Sequence, residues 1–310
     1  MFSARLTAIL QALLVTLIWS ASWVLIKIGL ADIPPVTFAG LRYFIAFLCL
    51  AVLAARSAQT RAAVSRLTGR QWALLLLLGF TFYTVTQGAQ FVALAFLPAV
   101  TLSLMLNFTP VVVLGLGAAL LGERPTQRQV VGIGVFLLGT LIYFWPVSFP
   151  THEVFGLLIG LAGMCANAVS GVLGRYVNRD GATAPIVVTA ISMGVGSAIL
   201  LGAGLVTEGM PTLRFSDWAL IVWLAVVHTA LAFTLWNVTL RTLSAVESSV
   251  INNTMLVQIA LLAWLFLGEA ITAQGVLGLL LAAAGILVVQ VAGRSASVKA
   301  LRSAVRQSAD

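Results

Sequence analysis

Ten runs of about twenty mostly apolar residues fill this chain and leave little between them. They cover approximately residues 6–29, 35–55, 72–95, 98–121, 127–146, 154–176, 183–206, 217–238, 244–267 and 273–292. Each is long enough for a helix to cross the ~30 Å of hydrocarbon in a bilayer. Apolarity is continuous along each run and does not alternate with period two, which argues against a barrel. Only 8% of the 310 residues are charged, where a soluble domain carries about 25%. With 61% hydrophobic residues and a mean hydropathy of +1.08, the chain cannot clothe its own surface in polar groups, so lipid must. The expected fold class is all-α integral membrane, with ten transmembrane helices.

The gaps carry breakers: Pro34-Pro35, Pro98, Pro125, Pro146, Pro150, Asp180-Gly181 and Pro211. No gap can hold a soluble domain, and no nucleotide-binding motif occurs, so ATP drive within the chain is not expected. The first run is too long for a cleavable signal and ends at no A-x-A-like site. Cys49 and Cys165 lie inside apolar runs and read as packing residues. No His/Asp/Glu spacing suits a metal and no carboxylates are paired, so neither a cofactor nor an intramembrane enzyme is expected.

The net charge of +8 is placed for membrane orientation and not for nucleic acid, since no basic-aromatic interleaving occurs on a soluble face. With the N-terminus in the cytoplasm, the inner segments hold Arg5, Arg56, Arg61, Arg66, Arg70, Arg124, Arg128, Arg175, Arg179, Arg241, Arg294, Lys299, Arg302 and Arg306. That is fourteen of the seventeen basic residues; Arg214 falls outside, and Lys27 and Arg42 fall within runs. By the positive-inside rule both termini are expected in the cytoplasm of an inner (plasma) membrane protein.

"LGERPT" at 121–126 returns as "LGEAIT" at 267–272, so Gly122, Glu123 and Thr126 meet Gly268, Glu269 and Thr272 at an offset of 146. Without a gap, the same offset aligns Leu94, Leu97, Ala99, Val100, Ser103, Asn107, Gly132 and Gly139 with identical residues. Earlier the match is fainter, near an offset of 148, where Ser22 meets Ser170 and Lys27 meets Arg175. Each half then holds five spans. Five is odd, so the second half enters the membrane from the opposite side, a build that recurs in secondary transporters. The halves are placed at 1–149 and 150–293, with a basic cytoplasmic tail at 294–310. Locally, Gly122 suits a helix C-terminal cap, Thr126 and Gln129 a capping box, and Glu123 and Glu269 an elbow near a helix N-terminus.

The repeated phrase, "ALAFLPAVTLSLMLNFTPVVV" before it, "TLIWSASWVLIKIGL" in the first span and "FAGLRYFIAFL" in the second resemble the EamA family of the drug/metabolite transporter superfamily. The resemblance covers nearly the whole chain and is most specific at 91–141 and 240–287. It implies a ten-helix bundle of two inverted repeats, a central cavity with alternating access, and spans five and ten as peripheral supports. It further implies export of amino acids, their derivatives or other small metabolites.

Polar groups at membrane depth face a neighbouring helix or a cavity. Thr16, Trp19, Ser20, Trp23 and Lys27 form one stripe of the first span. Tyr83, Gln87 and Gln90 stand in the third, Ser103 and Asn107 in the fourth, Asn167 and Ser170 in the sixth. His228, Trp236 and Asn237 stand in the eighth, and Ser249, Asn252, Asn253, Thr254 and Gln258 in the ninth. Spans five and ten are nearly free of such groups, a contrast that suggests which spans line a polar, aromatic cavity. Arg42, about 12 Å beyond Pro34, costs on the order of 3 kcal/mol at depth. It either reaches outward to Asp32 or receives a substrate carboxylate; Lys27, shallower, is expected to snorkel. His228 is a core histidine, a substrate contact or a proton-coupling group, and Glu247 is the deepest carboxylate and a second coupling candidate. No Asp or Glu lies near a span centre, so the membrane-embedded Glu around which small multidrug exporters are built has no counterpart, and a zwitterion or carboxylate fits better than a permanent cation.

The expected function is a secondary transporter exporting amino acids or related small metabolites. Trp19, Trp23, Arg42, Tyr83, Gln87, Asn107, Asn167, His228, Trp236 and Asn253 are the substrate-contact candidates. The alternative is a non-transporting or lipid-flipping membrane subunit. A small molecule and the bilayer are the expected partners of a monomer or homodimer; glycines Gly132, Gly139, Gly278 and Gly285 of spans five and ten permit close helix packing.

Overall fold

The computed structural model describes residues 4–113, 115, 126–146, 150–178, 185–239, 242–243 and 245–307, and these are helical with short connections. In chain order the helices are α1 (Ala4–Gly29), α2 (Pro35–Arg56), α3 (Ala58–Ser65), α4 (Gly69–Phe96), α5 (Ala99–Leu106), α6 (Gln127–Phe144), α7 (Thr151–Asn178), α8 (Pro185–Thr207), α9, α10 (Ala245–Leu267) and α11 (Ala273–Gln307). The rod α9 is made of Phe215–Ala225, Val226–Leu231 and Ala232–Thr239. Among the described residues six helices are long and apolar enough to cross a membrane, in α1, α2, α4, α6, α7 and α8. Four shorter apolar helices, Ala99–Val113, Phe215–Leu231, Ile251–Leu267 and Ala273–Val289, accompany them.

Local chemistry sets the helix starts. Proline opens α2 at Pro35, where the missing N–H costs nothing. Thr68 with Gln71 caps α4, and Thr126 with Gln129 caps α6. In the second box the Gln129 N–H donates to Thr126 Oγ1 (3.3 Å) and the Thr126 N–H to Gln129 Oε1 (2.8 Å), the reciprocal pattern that satisfies two orphan donors. Gly268 ends α10 with φ of +67°, the left-handed conformation that favours glycine after a helix, and the Glu269 N–H closes back on the Ala263 carbonyl. Its repeat mate Gly122, with Glu123, lies outside the described residues.

Two rods widen midway. Residues Gly79–Thr86 of α4 and Val226–Leu231 of α9 form π-helical turns. In each, a threonine hydroxyl donates to a carbonyl five residues back: Thr86 Oγ1 to Thr81 (2.9 Å) and Thr229 Oγ1 to Leu224 (3.0 Å). Such insertions re-aim the side chains that follow and recur at functional sites.

α2 lies along α8, α6 along α11, α1 against α9 and α10, and α4 against α7 and α8. The α6–α11 seam is the closest: a Cβ at Gly139 would fall on the backbone of Ala282 and Gly278, and one at Gly285 on that of Phe136 and Gly132. These glycines are thus occupied within the chain. Phe38, Phe91, Leu94, Leu97, Leu102 and Leu104 form the buried centre. Leu10, Leu14 and Leu17 of α1, Leu137, Leu138 and Leu141 of α6, and Leu261, Trp264, Leu265 and Phe266 of α10 face outward. An apolar belt of that extent belongs in lipid.

Candidate functional site

A cavity of about 380 Å³ opens between α1, α2, α4, α5, α7, α9 and α10. Each helix contributes at its own period. α1 offers Trp19, Ser22 and Trp23; α4 offers Phe82, Thr86, Gln87 and Gln90; α5 offers Ser103, Leu106 and Asn107. α10 offers Asn252, Met255, Leu256 and Ile259, spaced as one helical stripe. Arg42 and Tyr43 enter from α2, Asn167 from α7, and His228 and Phe233 from α9. Among the described residues, none of α6 or α11 lines it.

Seven of the ten contact candidates therefore meet at one cavity: Trp19, Trp23, Arg42, Gln87, Asn107, Asn167 and His228. Tyr83 lines an adjoining cavity of about 250 Å³ that shares Phe82 and Asn167 with the first. Trp236 lies behind Trp19, their ring centroids 5.3 Å apart, and packs with Ala8, Ala12, Leu243 and Ile251. On α10 it is Asn252 that faces the cavity; Asn253, one residue and 100° on, is half-buried beside it. The side chains of Asn237, Ser249 and Glu247 lie outside the described ones.

The cavity walls are internally bonded. Tyr43 Oη donates to Gln87 Oε1 (2.7 Å), Asn107 Nδ2 to the Ser103 carbonyl (2.8 Å) and Asn167 Nδ2 to Thr109 Oγ1 (3.2 Å). Trp19 packs on Phe233 at 5.2 Å between centroids. Arg42 is 5% exposed; its Nε donates to Thr229 Oγ1 (3.3 Å) and its guanidinium lies over the rings of Tyr43 (5.2 Å) and Phe91 (5.9 Å). His228 is 4% exposed and lies against the Trp223 backbone, and its Nδ1 makes no hydrogen bond of ordinary geometry.

Both basic residues depart from the outward-reaching expectation. Asp32 pairs with Arg214 (2.7 Å) at the surface and leaves Arg42 to the interior. Lys27 does not snorkel: its Nζ turns inward to the carbonyls of Leu94 (2.6 Å) and Leu97 (2.7 Å), the open C-terminal end of α4. Thr16 and Ser20 also leave the cavity stripe, because Gln258 of α10 takes them: Ser20 Oγ donates to Gln258 Oε1 (3.0 Å) and Gln258 Nε2 to Thr16 Oγ1 (3.2 Å).

Near Lys27, Ile26, Phe38, Phe91, Leu94 and Leu97 are fully buried and belong to one apolar cluster. A second space, of about 400 Å³, is lined by Pro98, Tyr143, Glu153, Ile271 and Gln274 among others. Its polar side chains are Thr101, Tyr143, Glu153, Thr272 and Gln274, whereas the 380 Å³ cavity gathers Arg42, His228 and amides from four helices, so the latter is the candidate.

A helical, lipid-belted bundle around a small polar and aromatic cavity is the build of a multi-pass membrane transporter. The sequence pattern of the EamA-like transporter family matches residues 6–145 and again 154–291, and the chain belongs to that family. It is 26% identical over 290 residues, 89% of this chain and 92% of the relative, to a "Probable amino-acid metabolite efflux pump" of Salmonella typhimurium. It is 25% identical over 292 residues, 92% of this chain and 94% of the relative, to a "Probable terminal-alkyne amino-acid exporter" of Streptantibioticus cattleyicolor. A solved crystal structure superposes with a TM-score of 0.65 at 22% identity, covering 93% of this chain and 99% of that one, a likeness of fold.

Proposed function

We propose that this transporter exports amino acids or related small metabolites by alternating access. The observation that carries this reading is the 380 Å³ cavity, walled by helices of both sequence halves. The names of the Salmonella and Streptantibioticus relatives support amino-acid-like cargo. So does the cavity size, which suits a molecule of a few to a dozen heavy atoms between indole and amide groups.

The proposed frame is ten spans in two inverted five-helix halves. Three features support it. The family pattern matches twice in succession. The π-turns fall in the third long rod of each half, at Gly79–Thr86 and Val226–Leu231. The contacts pair like with like: α2 on α8 and α6 on α11, while α1 against α9 and α10 answers α7 against α4 and α5. With both termini in the cytoplasm of the inner membrane, the Lys27 end of the bundle faces outward.

The test is efflux from proteoliposomes loaded with a mixed pool of amino acids and metabolites, followed by mass spectrometry with and without a pH gradient. Selective, protein-dependent loss is expected. Uniform retention of every compound by folded, inserted protein would refute the reading. Lipid scrambling without solute loss would establish the lipid-flipping alternative in its place.

A further inference from the structure

We infer that Arg42 is the docking point for a carboxylate on the transported molecule and that His228 completes the subsite; this rests on the exporter reading and names what its cargo must carry.

Arg42 is fixed before any ligand arrives. Thr229 Oγ1 of α9 holds its Nε, and the rings of Tyr43 on its own helix and Phe91 on α4 hold the guanidinium. The described hydrogen bonds of Arg42 use Nε alone, so the edge formed by Nη1 and Nη2 remains. That edge is the one a carboxylate meets in bidentate fashion, with both geometry and charge matched. The described cavity lining contains no Asp or Glu. The described ion pairs, Asp32 and Asp217 with Arg214, do not involve Arg42. A buried cation without a counter-charge is costly, and a ligand anion removes that cost on arrival.

His228 is the independent second observation. It sits one residue before Thr229, lines the same cavity, and holds a buried Nδ1 without a well-formed hydrogen bond. Buried polar atoms are nearly always bonded, and an exception calls for an explanation. Nδ1 itself is enclosed, which leaves Nε2 as the ring nitrogen open to a ligand, and a neutral imidazole with its proton there supplies one further donor to the same anion.

The inventory also limits the anion. Lys27, the other basic group at depth, is engaged by the Leu94 and Leu97 carbonyls and is absent from the lining. One guanidinium and one imidazole match a single negative charge, and not a phosphate dianion or a dicarboxylate. Gln90 and Asn252 offer amide oxygens to an ammonium group, so a zwitterion is as acceptable as a simple monocarboxylate.

The experiment uses detergent-purified protein and acid–amide pairs: phenylalanine, leucine, methionine and threonine, each against its carboxamide, with 3-phenylpropionate as an acid lacking the amine. Ligand-induced thermal stabilisation reads binding, and proteoliposome efflux reads transport. The acids are expected to bind at least about tenfold more tightly than their amides, as a charged hydrogen-bond pair is worth. R42Q is expected to lower acid affinity roughly 10- to 100-fold and leave the amides unchanged. Amides that bind as well as acids, R42Q that keeps the acid preference, or no binding by any member would overturn the inference. Where R42Q does not fold, the acid-to-amide ratio of the unaltered protein decides the point. Equal efflux of acids and amides would sink the carboxylate anchor and leave the exporter standing. Carboxylate-specific binding without any efflux would do the reverse.

Discussion

Glu269, just past the end of α10, caps a helix from the other half of the chain: its Oε1 accepts the Ala99 N–H at 2.7 Å, and its Oε2 the Val100 N–H at 3.3 Å. At the same turn, Lys27 of α1 donates to the Leu94 and Leu97 carbonyls. Pro98 between them has no N–H to give. One turn is therefore clamped by an anion at a helix start and a cation at a helix end, each complementing the local dipole.

E269A is expected to remove a charged cap and cost about 1–3 kcal/mol. E269Q, whose amide oxygen still accepts one N–H, should fall between E269A and the parent. Thermal unfolding in detergent measures both. E208A should behave like E269A, because Glu208 accepts the Val36 (3.1 Å) and Thr37 (2.8 Å) N–H groups at the start of α2. Unfolding temperatures equal to the parent would show that these caps contribute nothing.

The α6–α11 seam gives a paired comparison within one helix. G139A drives a methyl group into the backbone of Ala282 and Gly278, whereas a Cβ at Gly134 meets nothing within 4 Å. G139A should destabilise by about 1–3 kcal/mol through overpacking. G134A should be neutral or slightly stabilising, as alanine is the better helix former. Similar losses for both variants would show that the seam can spread without cost.

Much of the helical frame was legible because continuous apolarity is a strong signal. The run at 217–238 became a rod from Phe215 to Thr239, and that at 154–176 became Thr151–Asn178. The π-turns were not legible, since a shift from four to five residues per bond leaves no mark in hydrophobic spacing. The short α3, Ala58–Ser65, was missed because it is polar and too brief to show a period. The inward turn of Lys27 and the cap by Glu269 were invisible for another reason. Their partners are backbone carbonyls and amides, which every residue carries. The cavity side of α10 came out one residue from expectation, at Asn252, because adjacent amides differ by 100° and the rotation depends on tertiary contacts such as those of Thr16 and Ser20 of α1 with Gln258. Tyr43 was overlooked because a tyrosine beside an arginine reads as packing until its bond to Gln87 is seen.

Gln258 ties α1 to α10 through Ser20, Thr16 and its own helix neighbour Thr254 (2.9 Å). Membrane hydrogen bonds average about 0.6 kcal/mol each, so Q258L should lose roughly 1–2 kcal/mol while keeping volume and apolarity. S20A removes one bond and should cost correspondingly less. Because neither Gln258 nor Ser20 lines the cavity, transport by Q258L at a temperature where it stays folded should hold near the parent rate. A selective loss of transport would instead make the α1–α10 contact part of the moving machinery.

Trp19 and Trp236 separate packing from contact. The rings touch, at 5.3 Å between centroids, yet only Trp19 lines the cavity, while Trp236 backs it against the Ala8, Ala12, Leu243 and Ile251 cluster. Removing either ring discards a large buried surface, and W19A and W236A should each destabilise by about 2–4 kcal/mol. Their effects on transport should diverge. W19A also strips one wall from the site and should raise KM about tenfold or more once an effluxed compound is in hand. W19F, which keeps a face for Phe233 and the ligand, should recover most of that loss. W236A should alter stability with little change in KM. Equal KM shifts in the two alanine variants would mean that Trp19 acts through packing alone, and the cavity wall would then have to be assigned to Trp23 and Phe233 instead.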